Sequence, residues 1–245
     1  MHGTAGRAHD SSLKRYLATA EFKPRFLKPN ADRYLVQLKA IADGVIALRD
    51  TWIGVCPVAE AMPIPHRRVD PLILKGLVGA VRAGRAVDIH HRSMNSARPE
   101  TMWRRITPHA FGHDGLRWHV RAFCHIDRIF KDFVLSRCLA VGSFHEPEAK
   151  PSEDSEWFSF LDVVLEPNPT LSERQRRTIA LDYDMPDGRV TVSVRRALLY
   201  YFNKRLRLDE AKLFDDPAIA PIVVANREEF MRALPANKSH SDLLT

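Results

Sequence analysis

Alternation of apolar and polar positions is tightest between Ile106 and His125, where two β-biased runs flank Asp114-Gly115. That pair suits a tight turn with positive φ, so Ile106–His113 and Leu116–His125 are predicted to pair as an antiparallel hairpin. On the second strand a period of two puts Leu116, Trp118, Val120 and Ala122 on one face and Arg117, His119, Arg121 and Phe123 on the other. The first face reads as core, Trp118 included, so Trp118→Ala is expected to unfold the domain; the second reads as basic. A third run, Lys131–Leu139, is predicted to continue the sheet with Phe133, Leu135 and Arg137 on a common face.

Around this centre the chain divides by its punctuation. Residues 1–12 are polar, lack periodicity and are expected to have no fixed structure. Asn30 as cap, Asp32 in the first turn, and Tyr34, Leu35, Leu38, Ile41, Ala42 and Ile46 at helical spacing predict a helical arm. Pro57, Pro63 and Pro65 make 52–69 an extended linker. Asp70 as cap, Pro71 in the first helical position, a stripe of Leu74, Leu77, Val78 and Val81, and Gly84 past the end define a short helix. A strand over Arg85–His91 and a polar loop over Arg92–Glu100 follow.

Prolines and acids make 145–156 a second linker. Beyond it come a β-like run Trp157–Leu165, a capping box of Thr170 and Glu173 ahead of a helix to Leu181, and an Asp187-Gly188 turn into Val190–Val194. A helix over Arg195–Leu206 carries Leu198, Leu199, Phe202 and Leu206 on one side, Pro221–Leu234 adds one more strand and helix, and Pro235–Thr245 is a tail. The fold class is α+β, and the β-α-β-α order suggests a ferredoxin-like second domain. The division is therefore 1–69 tail, arm and linker; 70–144 first domain; 155–234 second domain; 235–245 tail.

Composition narrows the chemistry. A length of 245 residues fits one large or two small domains, and the net charge of +7 favours anionic partners, although such an excess also occurs on solvated faces. Three cysteines without CxxC spacing indicate neither a disulfide framework nor a zinc knuckle. No apolar leader and no membrane-length apolar run is present, so a soluble cytoplasmic protein is expected. His90, His91, His109, His113, His119 and His125 match no zinc-ligand spacing, and HExxH, GxSxG, GxxxxGK[ST] and GxGxxG are all missing. No catalytic residue, metal or cofactor is expected.

Several fragments in order carry a resemblance: Arg-Ile-Thr-Pro-His at 105–109, Asp-Gly at 114–115, Trp-His-Val-Arg-Ala-Phe at 118–123 and Phe-Lys-Asp-Phe-Val-Leu-Ser-Arg at 130–137. Together they resemble the WYL domain of bacterial transcriptional regulators, and within it the repressors found beside phage-defence operons. Trp118-His119-Val120 stands at the naming triplet, and His91-Arg92-Ser93 at the family's Tyr-x-Ser.

The resemblance implies a small Sm-like or SH3-like β-barrel over about Leu72 to Val141, a C-terminal extension that makes homodimers, and a ligand site in the barrel. The matching ligand-binding positions are His91, Ser93, Arg104, Arg105, His109, Arg121 and Arg137, with His119 on the same basic face and Phe123 or Phe133 to stack on a base. Arginine forks suit phosphate oxygens, so the implied ligand is a nucleotide, an oligonucleotide or single-stranded nucleic acid. On this reading Arg121→Ala loses the ligand and keeps the fold. The competing reading pairs these arginines with Asp88, Asp127 or Asp132. Residues 13–29 are similar to the wing-end and linker that follow a winged helix-turn-helix, so DNA would be read by a domain whose helices are absent from this sequence. The alternative function is a stand-alone module that docks an acidic partner on the basic face.

Overall fold

Asp10 ends a strand and turns the chain: its carboxylate accepts from the Ser12 N–H at 2.9 Å, and β1 (Arg7–Asp10) pairs antiparallel with β2 (Arg15–Ala18). The polar run expected to be unstructured is thus partly strand, because a local carboxylate supplies the turn that composition does not reveal. The computed structural model describes residues 6–12, 14–23, 30–65, 67–94, 100–208 and 217–234, which fall into two compact units, 1–66 and 67–245. In the first, Asn30 caps α1 (Ala31–Ala42) by accepting from the Arg33 N–H at 2.8 Å. The helix stops at Ala42, short of Ile46, and 52–65 carry no helix or strand.

The second unit begins as its punctuation predicts. The Asp70 carboxylate accepts from the Leu72 N–H at 2.7 Å, and α2 (Pro71–Ala83) ends at Gly84, whose φ of 61° is a left-handed cap. The face it buries is Ile73, Leu77 and Ala80; Leu74, placed on the expected stripe, is 40% exposed. α2 lies on a five-stranded antiparallel sheet made of β3 (Ala86–Arg92), β4 (Thr101–His113), β5 (Trp118–Cys124), β6 (Ile129–Val134) and β7 (Cys138–His145), in the order β6-β5-β4-β3-β7. Val87, Ile89, Ile106, Val120, Ala122 and Phe133 complete the core under α2.

Three expectations about this sheet change. The run Lys131–Leu139 is not one strand: Leu135–Arg137 form a turn of 3-10 helix, and β7 pairs with β3 at the far edge rather than extending β6. In the β4–β5 hairpin only Gly115 takes a positive φ, at 90°. Asp114 instead ties the turn through its carboxylate, accepting from the Leu116 and Arg117 N–H groups at 2.8 Å each. Finally, Trp118 is not core. It sits at the strand end, 53% exposed, tilted against His113.

The second domain contains α3 (Ser155–Phe158), β8 (Phe160–Pro167), α4 (Glu173–Asp182), β9 (Val190–Arg195), α5 (Leu199–Leu206), β10 (Ile222–Val224) and α6 (Arg227–Ala233). Its three strands run antiparallel in the order β10-β8-β9, one strand fewer, among the described residues, than a ferredoxin-like sheet. Trp157 belongs to α3 rather than to a strand, because Asp154 caps that turn by accepting from the Trp157 N–H. The α4 capping box is Ser172 with Gln175, while Thr170 bonds back to Asn168. A turn of 3-10 helix, Arg196–Leu198, precedes α5. Leu161, Val163, Leu165, Leu199, Ile222 and Phe230 form a separate core. The Pro235–Thr245 tail lies outside the described residues.

The two domains are joined by buried polar groups. Arg121 on β5 donates to both carboxylate oxygens of Asp154, at 2.7 and 2.9 Å. The Tyr201 hydroxyl on α5 donates to Asp132 on β6 at 3.0 Å. Gly112 makes room for this contact, since a Cβ there would stand 3.2 Å from the Leu198 side chain. The 145–156 segment is therefore an anchored joint rather than a solvated linker. Removing one partner of a buried ion pair leaves the other uncompensated, so Arg121→Ala should cost about 3–5 kcal/mol of unfolding free energy. Trp118→Ala, at a half-exposed site, should cost about 1 kcal/mol or less. Urea denaturation of both variants checks the pair; a larger loss for Trp118→Ala would reverse the assignment of faces.

Candidate functional site

Strand alternation decides which of the expected residues meet. On β4, Arg104 and Arg105 point to opposite faces: the Arg104 side chain is fully buried, while that of Arg105 is 41% exposed. Arg104 shares the inner face with Ile106, with His91 and Ile89 of β3, and with Phe133 and Lys131 of β6. The His91 ring meets Phe133 edge-on at 5.4 Å, and the Arg104 guanidinium lies over the same ring at 5.7 Å. The Lys131 ammonium lies 6.0 Å from the centre of the same ring. Phe133 is thus a fully buried aromatic floor with cations above it.

Two cations of this cluster share one carboxylate. Lys131 pairs with Asp127 at 3.0 Å, which leaves Arg104 a longer contact to the same carboxylate at 3.7 Å. Neither His91 ring nitrogen, nor the Arg104 Nε, makes a well-formed hydrogen bond among the described residues, although all three are buried. Burial, and then the charges of Arg104, Arg137 and Lys131, push the His91 imidazole down to about 3, against a smaller opposing pull from the Val134 backbone. It is therefore neutral at physiological pH, a donor and an acceptor held among cations. Ser93 follows two residues after His91 and is also buried. Arg137 enters from the 3-10 turn after β6, donates to the Met94 sulfur at 2.7 Å, and has its own pKa lowered by burial and by Arg117 and Arg67.

The remaining expected residues lie elsewhere. Arg105 pairs with Asp88 at 2.9 Å, and His145 donates to the same carboxylate at 2.7 Å. His109 donates to Asp154 at 2.9 Å. His119 donates to Asp114 at 3.1 Å and meets the Tyr201 ring edge-on. Arg121 is enclosed by Asp154, by Asp132 at 3.6 Å and by Glu156 at 3.5 Å. Burial alone would raise the Asp154 carboxyl, but the hydrogen bonds from Arg121 and His109 outweigh it and hold the group at about 2. Burial keeps Asp132 raised despite Arg121.

The β5 face that reads as basic in the sequence is thus the one turned to the joint. The cations that converge stand instead on the apolar face of the neighbouring strands. The competing reading had the right partners: Asp88, Asp127 and Asp132 are all engaged by arginine. Lys131 and Asp127 were missed as cluster members, although Lys131 sits two residues from Phe133 and alternation alone would have placed it. Asp154 carried no comparable signal, because its role depends on how the second domain packs.

Among the described residues no group of three or more His, Cys, Asp and Glu side chains is arranged to hold a metal ion, and no helix is long and apolar enough to cross a membrane.

Comparison with known proteins finds two family matches in this chain. Residues 67–141 match the WYL domain family, and residues 160–230 match the family described as "BrxR transcriptional regulator, C-terminal dimerization domain". The chain is 35% identical over 224 residues to the DNA-binding transcriptional repressor CapW of Stenotrophomonas maltophilia, covering 90% of this chain and 74% of that protein. Against CapW of Pseudomonas aeruginosa it is 33% identical, with 90% and 73% covered. Against CapW of Escherichia coli strain KTE188 it is 30% identical, with 92% and 75% covered. With both domains matched in order, and relatives at 30% identity or more over most of their length, the chain belongs to the CapW family of transcriptional repressors, a regulator rather than an enzyme.

Proposed function

We propose that this chain is the sensing and dimerising part of a repressor that binds an anionic, nucleotide-like ligand against His91, Ser93, Arg104, Phe133 and Arg137. The domain limits are then 70–144 for the sensor and 155–234 for the homodimerising extension. The observation that carries the reading is the buried neutral imidazole of His91, with neither ring nitrogen in a well-formed hydrogen bond among the described residues and three cations around it. A phosphate would suit the Arg104 guanidinium, and the Phe133 ring offers an apolar surface to a base. DNA binding, which the names of the CapW relatives state for those proteins, would be modulated through the dimer.

A route for that coupling exists on β6. Phe133 and Lys131 face the cluster, while Asp132 between them faces the second domain and holds Tyr201. A ligand that moves this strand would act on both sides of it, shifting the balance between dimer arrangements by its differential affinity for them. The closed small barrel implied by the family resemblance is consistent with the strand order and with the 3-10 turn that carries the chain from β6 to β7, the two edge strands.

Titration of the whole chain with adenosine monophosphate tests the site. Arg104→Gln should weaken binding at least tenfold, about 1.4 kcal/mol, and leave the melting temperature within a few degrees. Unchanged affinity in that variant, or binding of an acidic peptide in place of any nucleotide, would sink the proposal in favour of a protein-docking face.

The His91 shift gives a pH test. Its folded pKa of about 3 lies below the ordinary 6.5, so the unfolded chain takes up the proton first. The stability that neutral His91 contributes is complete above pH 6.5 and declines as pH falls from there toward 3. His91→Gln should flatten the fall in unfolding free energy between pH 6.5 and 5, measured by urea denaturation; equal slopes in both proteins would count against a buried neutral imidazole.

A further inference from the structure

β9 pairs with β8 on one side, and among the described residues no strand pairs with it on the other. No backbone bond of Val190–Val194 reaches beyond the β8–β9 ladder among those residues. The β-α-β-β-α-β order places two successive strands between its helices, and the first folds back on the second as a hairpin. Between α4 and α5 this chain has β9 alone, because residues 183–189 carry no strand. The open edge of β9 is therefore the place where the fourth strand of a ferredoxin-like sheet would lie.

A solvated edge is the plain alternative. Edges left in water are blunted by shortness, by Lys or Pro, or by bulges. Every other edge strand within 67–245 has such a device: β10 is three residues long, β6 carries Lys131, and the β3–β7 ladder shifts register twice. β9 has none of them. Val190–Val194 holds no charge and no proline, and its register to β8 is unbroken. Arg195, the one charged residue of the strand, lies over the Trp157 and Phe160 rings at 4.6 Å each, and Phe160 is its partner on β8, so its charge leans away from the open edge. On the helix-packed face Val190 and Val192 are only half-buried, and a strand laid alongside would complete their cover.

We propose that the open edge of β9 is the dimer contact: two copies lay β9 against β9 antiparallel about a two-fold axis, so that the sheet runs on in the order β10-β8-β9-β9-β8-β10. Each copy then fills the place of the other's fourth strand. The occupant is a second copy because β9 lies inside residues 160–230, which match a dimerization domain, and because two identical antiparallel strands make a self-complementary contact in which main-chain donors meet main-chain acceptors. Symmetry also limits the register, since a residue on the axis faces its own copy. An axis at Val192 would set Arg189 opposite Arg195, a like-charge pair, whereas an axis at Thr191 or Ser193 does not. A small hydroxyl side chain therefore stands at the centre. The inference rests on the homodimer reading and adds the surface that makes the contact.

Analytical ultracentrifugation of the whole chain tests it, with wild type expected to sediment as a dimer. Thr191 and Ser193 are exposed, so Thr191→Lys/Ser193→Lys should keep the fold and raise the dimer dissociation constant at least tenfold, as should Thr191→Glu/Ser193→Glu. Leu181→Lys, on the exposed surface of α4, should leave that constant within twofold. Mixing the Lys and Glu variants should restore the dimer, because the two-fold sets the altered positions against each other; a variant that had merely unfolded would not recover. A monomeric wild type overturns this contact together with the homodimer reading. A wild-type dimer whose affinity survives both charge variants, or is lost in them and not restored by mixing, overturns the contact alone.

Discussion

The Arg121–Asp154 pair is the constraint from which the arrangement of the second unit follows. A guanidinium on a central strand, covered by another domain, is tolerable only if a carboxylate reaches it with matching geometry. Here the carboxylate comes from the joint between the domains and makes both hydrogen bonds of a bidentate contact. The same Asp154 accepts from His109 and caps α3. One side chain therefore ties the end of the WYL sheet, the path of the joint and the first turn of the dimerization domain. The Tyr201–Asp132 bond repeats the logic from the other direction, with the donor on α5 and the acceptor on β6.

Against this background the cation cluster at His91 differs in how its charges are shared. At the joint, charges are matched within about hydrogen-bond distance; on the inner sheet face Lys131 takes the nearer contact to Asp127 and Arg104 the longer one. The difference separates side chains matched at the joint, which hold the molecule together, from those of the inner sheet face. Arg105, His109, His119 and Arg121 belong to the first kind. Arg104 and His91 lie outside that set, and only the direction of each side chain, not its residue type, tells them apart.

Local signals were legible in the sequence wherever one residue decides the outcome. Asp70, Pro71 and Gly84 delimit α2 as expected, Asn30 starts α1, and Asp114-Gly115 turns the hairpin. The two-domain order also followed from punctuation and from the motif resemblance. What failed required knowledge of the other side of a surface. Period-two alternation correctly divides β5 into two faces, yet it cannot say that the second domain covers the charged one, so Arg121 read as pocket and Trp118 as core. The break at Leu135–Arg137 was hidden because a β-biased run looks the same whether it stays on one edge of a sheet or crosses to the other. Asp154, in a stretch of acids and prolines, looked like any solvated residue; its depth depends on Arg121, which lies 33 positions earlier in the chain.

That long separation bears on how domains of this family can be exchanged. A hybrid that keeps the sensor of one member and takes the joint and C-terminal half of another inherits the acid from one parent and the arginine from the other, so the splice is sound only if both parents carry the two residues in the same relative placement. The natural seam for recombination in this chain therefore falls after α3 has begun, on the far side of Asp154, rather than at the proline-rich stretch where composition alone would cut.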